Sequence, residues 1–119
     1  MPEEQVYKRQ WRAYKTQSGA CPVKEFLEAL TSEDAQTVAL AMKEVAVYGL
    51  VSARHLRGDI YEVRADGNHQ TFRILFATEG RYHQILLSLE AFSKKTPKTP
   101  QQKIELAEKR LADWRKRSQ

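Results

Sequence analysis

Apolar residues recur along this chain with two different periods, and the change falls at Gly58. Before it the spacing is helical. Pro22 suits the first turn of a helix, and Val23, Phe26, Leu27 and Leu30 then share one face. Thr31 and Asp34 stand at capping-box spacing, Ala35, Val38, Met42 and Val45 continue an apolar stripe, and Gly49 fits just past the helix end. The two segments read as a helical hairpin laid on a sheet. After Gly58 the period is two. Residues 60–65, 71–77 and 82–92 read as strands, with Asp66-Gly67 and Glu79-Gly80 as tight turns, so an antiparallel meander is expected. An earlier strand is expected over 6–14, "VYKRQWRAY", from its β-branched and aromatic content. A last helix is expected with Thr99 as its cap, Pro100 at its first position and Gln102 completing the box. Ile104, Ala107, Leu111 and Trp114 line its apolar face. The order of elements is that of an α+β fold, and no linker or internal repeat divides residues 1–119, so one domain is expected.

Composition changes this picture little. The 119 residues are 41% apolar and 29% charged, which fits a globular chain with a real core. No apolar run approaches the roughly 20 residues that span a bilayer, and the first residues lack a signal peptide's apolar stretch, so a cytoplasmic location without membrane contact is expected. Cys21 is the only cysteine, which excludes an internal disulfide and a cysteine-rich zinc site. His55, His69 and His83 show no metal-ligand spacing, and there is no glycine-rich nucleotide loop or nucleophile elbow. No metal or other cofactor is expected.

Charge adds more. Residues 92–119 hold nine Lys/Arg against three Asp/Glu, while the other 91 residues hold eleven against twelve. The excess begins with "FSKKTPKTP" at 92–100, where a strand must give way to a helix. Its prolines explain the break, because proline cannot donate to a sheet ladder. They do not explain Lys94, Lys95 and Lys98.

Side-chain alternation says which cations can meet. Ile60, Glu62 and Arg64 share one face of their strand, and Thr71, Arg73 and Leu75 share one face of the next. Pairing through the Asp66-Gly67 turn lets Arg64 and Arg73 lie together on one open face, with Lys94 and Lys95 arriving from the third strand. Phe92 beside them offers a ring for stacking on a base. A lone arginine would more often be a surface ion pair, here with Glu62 or Glu90. Several cations on one face favour a phosphate. His55 joins the candidates as a proton carrier near neutral pH.

Residues 55–114 also resemble a known family. L-x-G, Y-E-x-R, F-R-I-L and F-x-K-K-T-x-K-T-P occur in that order before a charged terminal helix. This combination resembles the phage-derived Gp49-like toxins of the RelE/HigB superfamily. The resemblance implies a RelE-like fold, a twisted antiparallel sheet packed by helices. It also implies a metal-independent endoribonuclease that cuts mRNA on the ribosome, held by an antitoxin that often carries a helix-turn-helix domain. By motif, Arg64, Arg73, Phe92, Lys94 and Lys95 match the active-site positions, and Lys98 reads as a contact to the RNA backbone. The implied reaction is attack of the RNA 2′-hydroxyl on the adjacent phosphorus, with Arg64 and Arg73 stabilising charge and Lys94 or Lys95 assisting proton transfer. Glu62 is a possible base but more simply an ion-pair partner. Two other readings stand beside this one: a non-enzymatic basic binding protein, and a gyrase poison of the ParE type built on the same fold.

Overall fold

The computed structural model describes residues 8–118. Val6 and Tyr7 of the first expected strand lie outside the described residues; β1 covers Gln10–Ala13. Helix α1, Pro22–Glu28, begins with proline in its first turn, where the missing N–H would have no partner in any case. Helix α2, Ser32–Tyr48, is capped by Thr31, whose Oγ1 accepts the Asp34 N–H at 3.2 Å. It ends at Gly49, whose φ of 82° is a region that favours glycine. A Cβ there would also come within 2.8 Å of the Arg9 guanidinium. A 3-10 turn, Gly49–Ser52, leads to β2, Arg54–Arg57. The remaining elements are β3, Ile60–Asp66, β4, Thr71–Glu79, β5, Ile85–Lys94, and α3, Gln101–Arg117.

The five strands form one sheet in the order β1-β5-β4-β3-β2. Strands β2 to β5 are the expected antiparallel meander, lengthened by one strand. The sheet is nevertheless mixed, because β1 runs parallel to β5. Residues 14–84 separate these two strands, so the long crossover that parallel pairing needs is available. Strand β2 was not expected, since "RHLR" has no apolar alternation. His83 was expected inside a strand; it stands in the turn before β5 with a φ of 56°, its N–H bonded to the Gly80 carbonyl.

Each face of the sheet buries a core. Helices α1 and α2 cover Val63, Ala65, Phe72, Ile74, Phe76, Leu86 and Ala91 with Val23, Val38 and Val45. Helix α3 covers Ile60, Leu75, Ala77, Leu87, Leu89 and Phe92 with Ile104, Ala107 and Leu111. A bulge adjusts the second face. Leu75 pairs with Glu90 and Phe76 with Ser88, which leaves Leu89 as the extra residue on β5. Leu89 joins the core under α3, and Glu90 meets Lys103 of that helix at 2.7 Å and Arg110 at 3.2 Å. Among the described residues no helix is long and apolar enough to cross a membrane.

The Thr31 cap gives a direct check on this local reading. Thr31→Ala should lower stability by about 1 kcal/mol, measured by chemical denaturation, with the slope of the transition unchanged.

Candidate functional site

The meander brings the two sequence-predicted arginines face to face. Arg64 of β3 and Arg73 of β4 are cross-strand partners, on the side of the sheet that α3 covers. They do not lie on an open surface, as alternation alone suggested. Arg73 is only 1% exposed and heads the fully buried side chains by size. The stretch between β5 and α3, residues 95–100, folds over it. One Nη of Arg73 donates to the Thr96 carbonyl, and the other donates to Thr99 Oγ1 at 3.4 Å. Its Nε is buried and has no partner among the described residues. Arg64 donates through Nε to Glu62 Oε1 at 2.7 Å and through Nη2 to the Pro97 carbonyl at 2.5 Å.

Glu62 completes the arrangement. Its carboxylate is buried, accepts Arg64 on one oxygen and accepts the Thr99 hydroxyl on the other. Thr99 is therefore not the helix cap expected from the sequence. The N-cap residue of α3 is Pro100, with no side-chain cap bond, and its carbonyl accepts the N–H of Lys103 at 3.0 Å. The Thr99 hydroxyl is taken by Glu62 and Arg73 and is not left for the helix. The ion-pair role weighed for Glu62 is the one the structure gives it.

Electrostatics follow from this geometry. Burial strips water from Arg73 and draws its pKa below the ordinary guanidinium value; Arg64 pushes the same way, Glu62 opposes, and Arg54 adds a smaller push downward. Arg73 is thus a cation held in a place that disfavours cations, with only one carboxylate nearby to offset it.

The other candidates divide. Lys94 ends β5, opposite Thr71 and on the arginines' side; Lys95 and Lys98 follow, both exposed. None of the three takes part in an ion pair among the described residues. Phe92 does not offer its ring to a base. It is 7% exposed, belongs to the core beneath α3, and has Lys103 Nζ 5.2 Å from its ring centre. The docking of α3, which local sequence does not specify, decides this. His55 is likewise separated from the site. It pairs with Tyr61 and stacks near that ring at 4.9 Å, on the opposite side of the sheet, and its Nε2 lies 2.8 Å from the Gly58 carbonyl. Its neighbour Arg54 pairs with Glu62 and takes the arginines' side instead. Sequence reading missed Arg54 because it missed β2. Among the described residues no group of three or more His, Cys, Asp or Glu side chains is placed to hold a metal ion.

A buried guanidinium lies beneath a half-exposed one, and unpaired lysines stand on one side. Comparison with known proteins agrees with the pattern of motifs that carries this arrangement. Residues 25–112 match the family described as phage-derived protein Gp49-like. The chain is 33% identical over 110 residues to a protein named probable endoribonuclease HigB1 from Mycobacterium tuberculosis strain H37Rv, covering 89% of this chain and 85% of that one. The same figures hold for the protein of that name from strain CDC 1551 / Oshkosh. The matched region runs from α1 through most of α3 and so includes every residue of the buried network. The chain belongs to the phage-derived Gp49-like protein family.

Proposed function

We propose that this protein is the toxin of a type II toxin–antitoxin module and acts as a metal-independent endoribonuclease on mRNA at the ribosome. The observation that carries the reading is the pairing of Arg64 with Arg73 on one face, with Lys94 on the same side at the end of β5 and exposed Lys95 and Lys98 following it in the connector. The name of the HigB1 relatives supports the same activity class.

In the proposed reaction the 2′-oxygen of one nucleotide forms a bond to the adjacent phosphorus. The bond from phosphorus to the 5′-oxygen breaks in line with it. The products are a 2′,3′-cyclic phosphate and a 5′-hydroxyl. The proton leaves the 2′-hydroxyl and a proton arrives on the 5′-oxygen; Lys94 and Lys95 are the groups assigned to this transfer. Arg64 is half-buried and reaches the phosphoryl oxygens. Its remaining N–H groups supply the fork that suits a phosphate. Arg73, beneath it, adds positive potential in a place shielded from water, where a charge acts more strongly. Lys98 holds the RNA backbone. The ribosome supplies the in-line orientation that a site without a strong base lacks. A cognate antitoxin, with a helix-turn-helix domain for operator binding, keeps the cationic face from its substrate by covering it with acidic or apolar segments or by holding the toxin off the ribosome.

The test is brief expression followed by mapping of RNA 5′ ends, together with cleavage of a programmed ribosome in the presence of a chelator. Cuts should carry 5′-hydroxyl ends, and a single 2′-deoxy substitution at the cut position should abolish them. Cleavage of the deoxy-substituted message would overturn the mechanism.

Two further outcomes separate structure from chemistry at the stretch after β5. Lys94→Gln with Lys95→Gln should leave thermal stability nearly unchanged, because exposed charges contribute little to folding, yet reduce cleavage about 10²-fold or more. Thr99→Val should do the opposite in the first measurement. It leaves Glu62 and Arg73 each short of a buried partner and should cost about 2 kcal/mol in denaturation, more than loss of an ordinary helix cap.

A further inference from the structure

Arg54 stands out once the network around Glu62 is drawn. It lies on β2 directly opposite Glu62 and is exposed. The bland role for it is an ion pair with that carboxylate. That role is already filled: Glu62 is 1% exposed, with one oxygen on Arg64 and the other on Thr99. The neighbouring Arg57 has a partner of its own, Glu108, at 2.7 Å. Arg54 takes part in no ion pair among the described residues. Its charge is nonetheless close enough to Arg73 to help lower that group's pKa. Three guanidinium groups on one patch with one buried carboxylate repel one another, and an anion on the patch relieves this.

The strand register shows the shape of that anion. One row across the sheet holds Arg54, Glu62, Leu75 and Glu90. The next row on the same face holds Arg64, Arg73 and Phe92, and the one after it holds Asp66, Thr71 and Lys94. The accessible cations Arg54, Arg64 and Lys94 therefore fall on a diagonal. Arg54 lies one strand over and two residues along from Arg64, about 8 Å between backbones, and Lys94 lies two strands over and two residues along on the far side, about 12 Å away. A single phosphate needs one end of such a line. A polyanion with regularly spaced charges uses all of it.

We propose that Arg54 binds the phosphate next to the scissile one, so that the RNA strand crosses the sheet diagonally from β2 to the end of β5. The assignment rests on the ribonuclease reading and extends it to a residue and a direction. The adjacent His55 has no part in the track, because it points to the other face.

The test uses the full chain and a single-stranded oligoribonucleotide made uncleavable by 2′-O-methyl groups, with affinity measured across a salt series. Arg54→Gln should weaken binding and reduce the salt slope by about 0.7, the share of one phosphate contact on a single strand, without lowering the melting temperature. Arg81→Gln, an exposed arginine in the turn between β4 and β5, should leave the slope unchanged. An Arg54→Gln slope equal to wild type, in a protein that cleaves ribosome-bound message normally, overturns the track and leaves the ribonuclease reading standing. A wild-type protein that neither binds the oligonucleotide nor cleaves message overturns both. Retained RNA binding with loss of an acidic protein partner assigns Arg54 to that partner and overturns the track as well.

Discussion

A guanidinium that is 1% exposed has to be solvated by the protein itself, and one end of this molecule is arranged around that requirement. Arg73 cannot give up its proton, so its charge must be met by neighbouring dipoles. The stretch after β5 meets it with the Thr96 carbonyl and the Thr99 hydroxyl. Thr99 can hold that position because it donates to Glu62, and Glu62 can remain a buried carboxylate because Arg64 pairs with it. Remove any member and a buried polar group loses a partner. The start of α3 is therefore fixed by charge solvation as much as by apolar packing.

This explains how the basic excess at the C-terminal end is divided. On α3, Lys103 and Arg110 hold Glu90, Arg115 holds Glu79 and Asp59, and Arg117 holds Asp113. These cations bind the helix to the sheet and to itself. Asp113 is drawn below the usual carboxylate range chiefly by its bonds to Arg117 and to Tyr14. The connector lysines have no such duty. A charge block that looks uniform along the sequence therefore divides: Lys103, Arg110, Arg115 and Arg117 are paired on the helix, while Lys94, Lys95 and Lys98 beside the arginines form no ion pair among the described residues.

Much of this was legible in the sequence, and the limits have physical causes. Alternation with a period of two fixed the shared face of Glu62, Arg64 and Arg73, because a strand offers only two faces. Pro22 and Gly49 act through their own backbone and Thr31 through its own hydroxyl, so all three could be read locally. What local signals miss is distant pairing. The parallel direction of β1 depends on β5, far along the chain. Strand β2 forms from "RHLR" because β3 lies beside it, and with it came Arg54 in place of His55. The bulge at Leu89 lets two successive residues face α3, which no simple alternation anticipates. Phe92 and Thr99 were misread for one reason: both are claimed by tertiary contacts, one by the helix above it and one by the buried ion pair.

The grip of Arg64 and Arg73 on the carbonyls of Thr96 and Pro97 makes the connector a competitor as well as a tether. An anion that takes those N–H groups must displace backbone oxygens that now occupy them, while Thr99 stays moored to Glu62. Occupation of those N–H groups by an anion and release of the Thr96 and Pro97 carbonyls are then linked equilibria, each shifting the other by the same free energy.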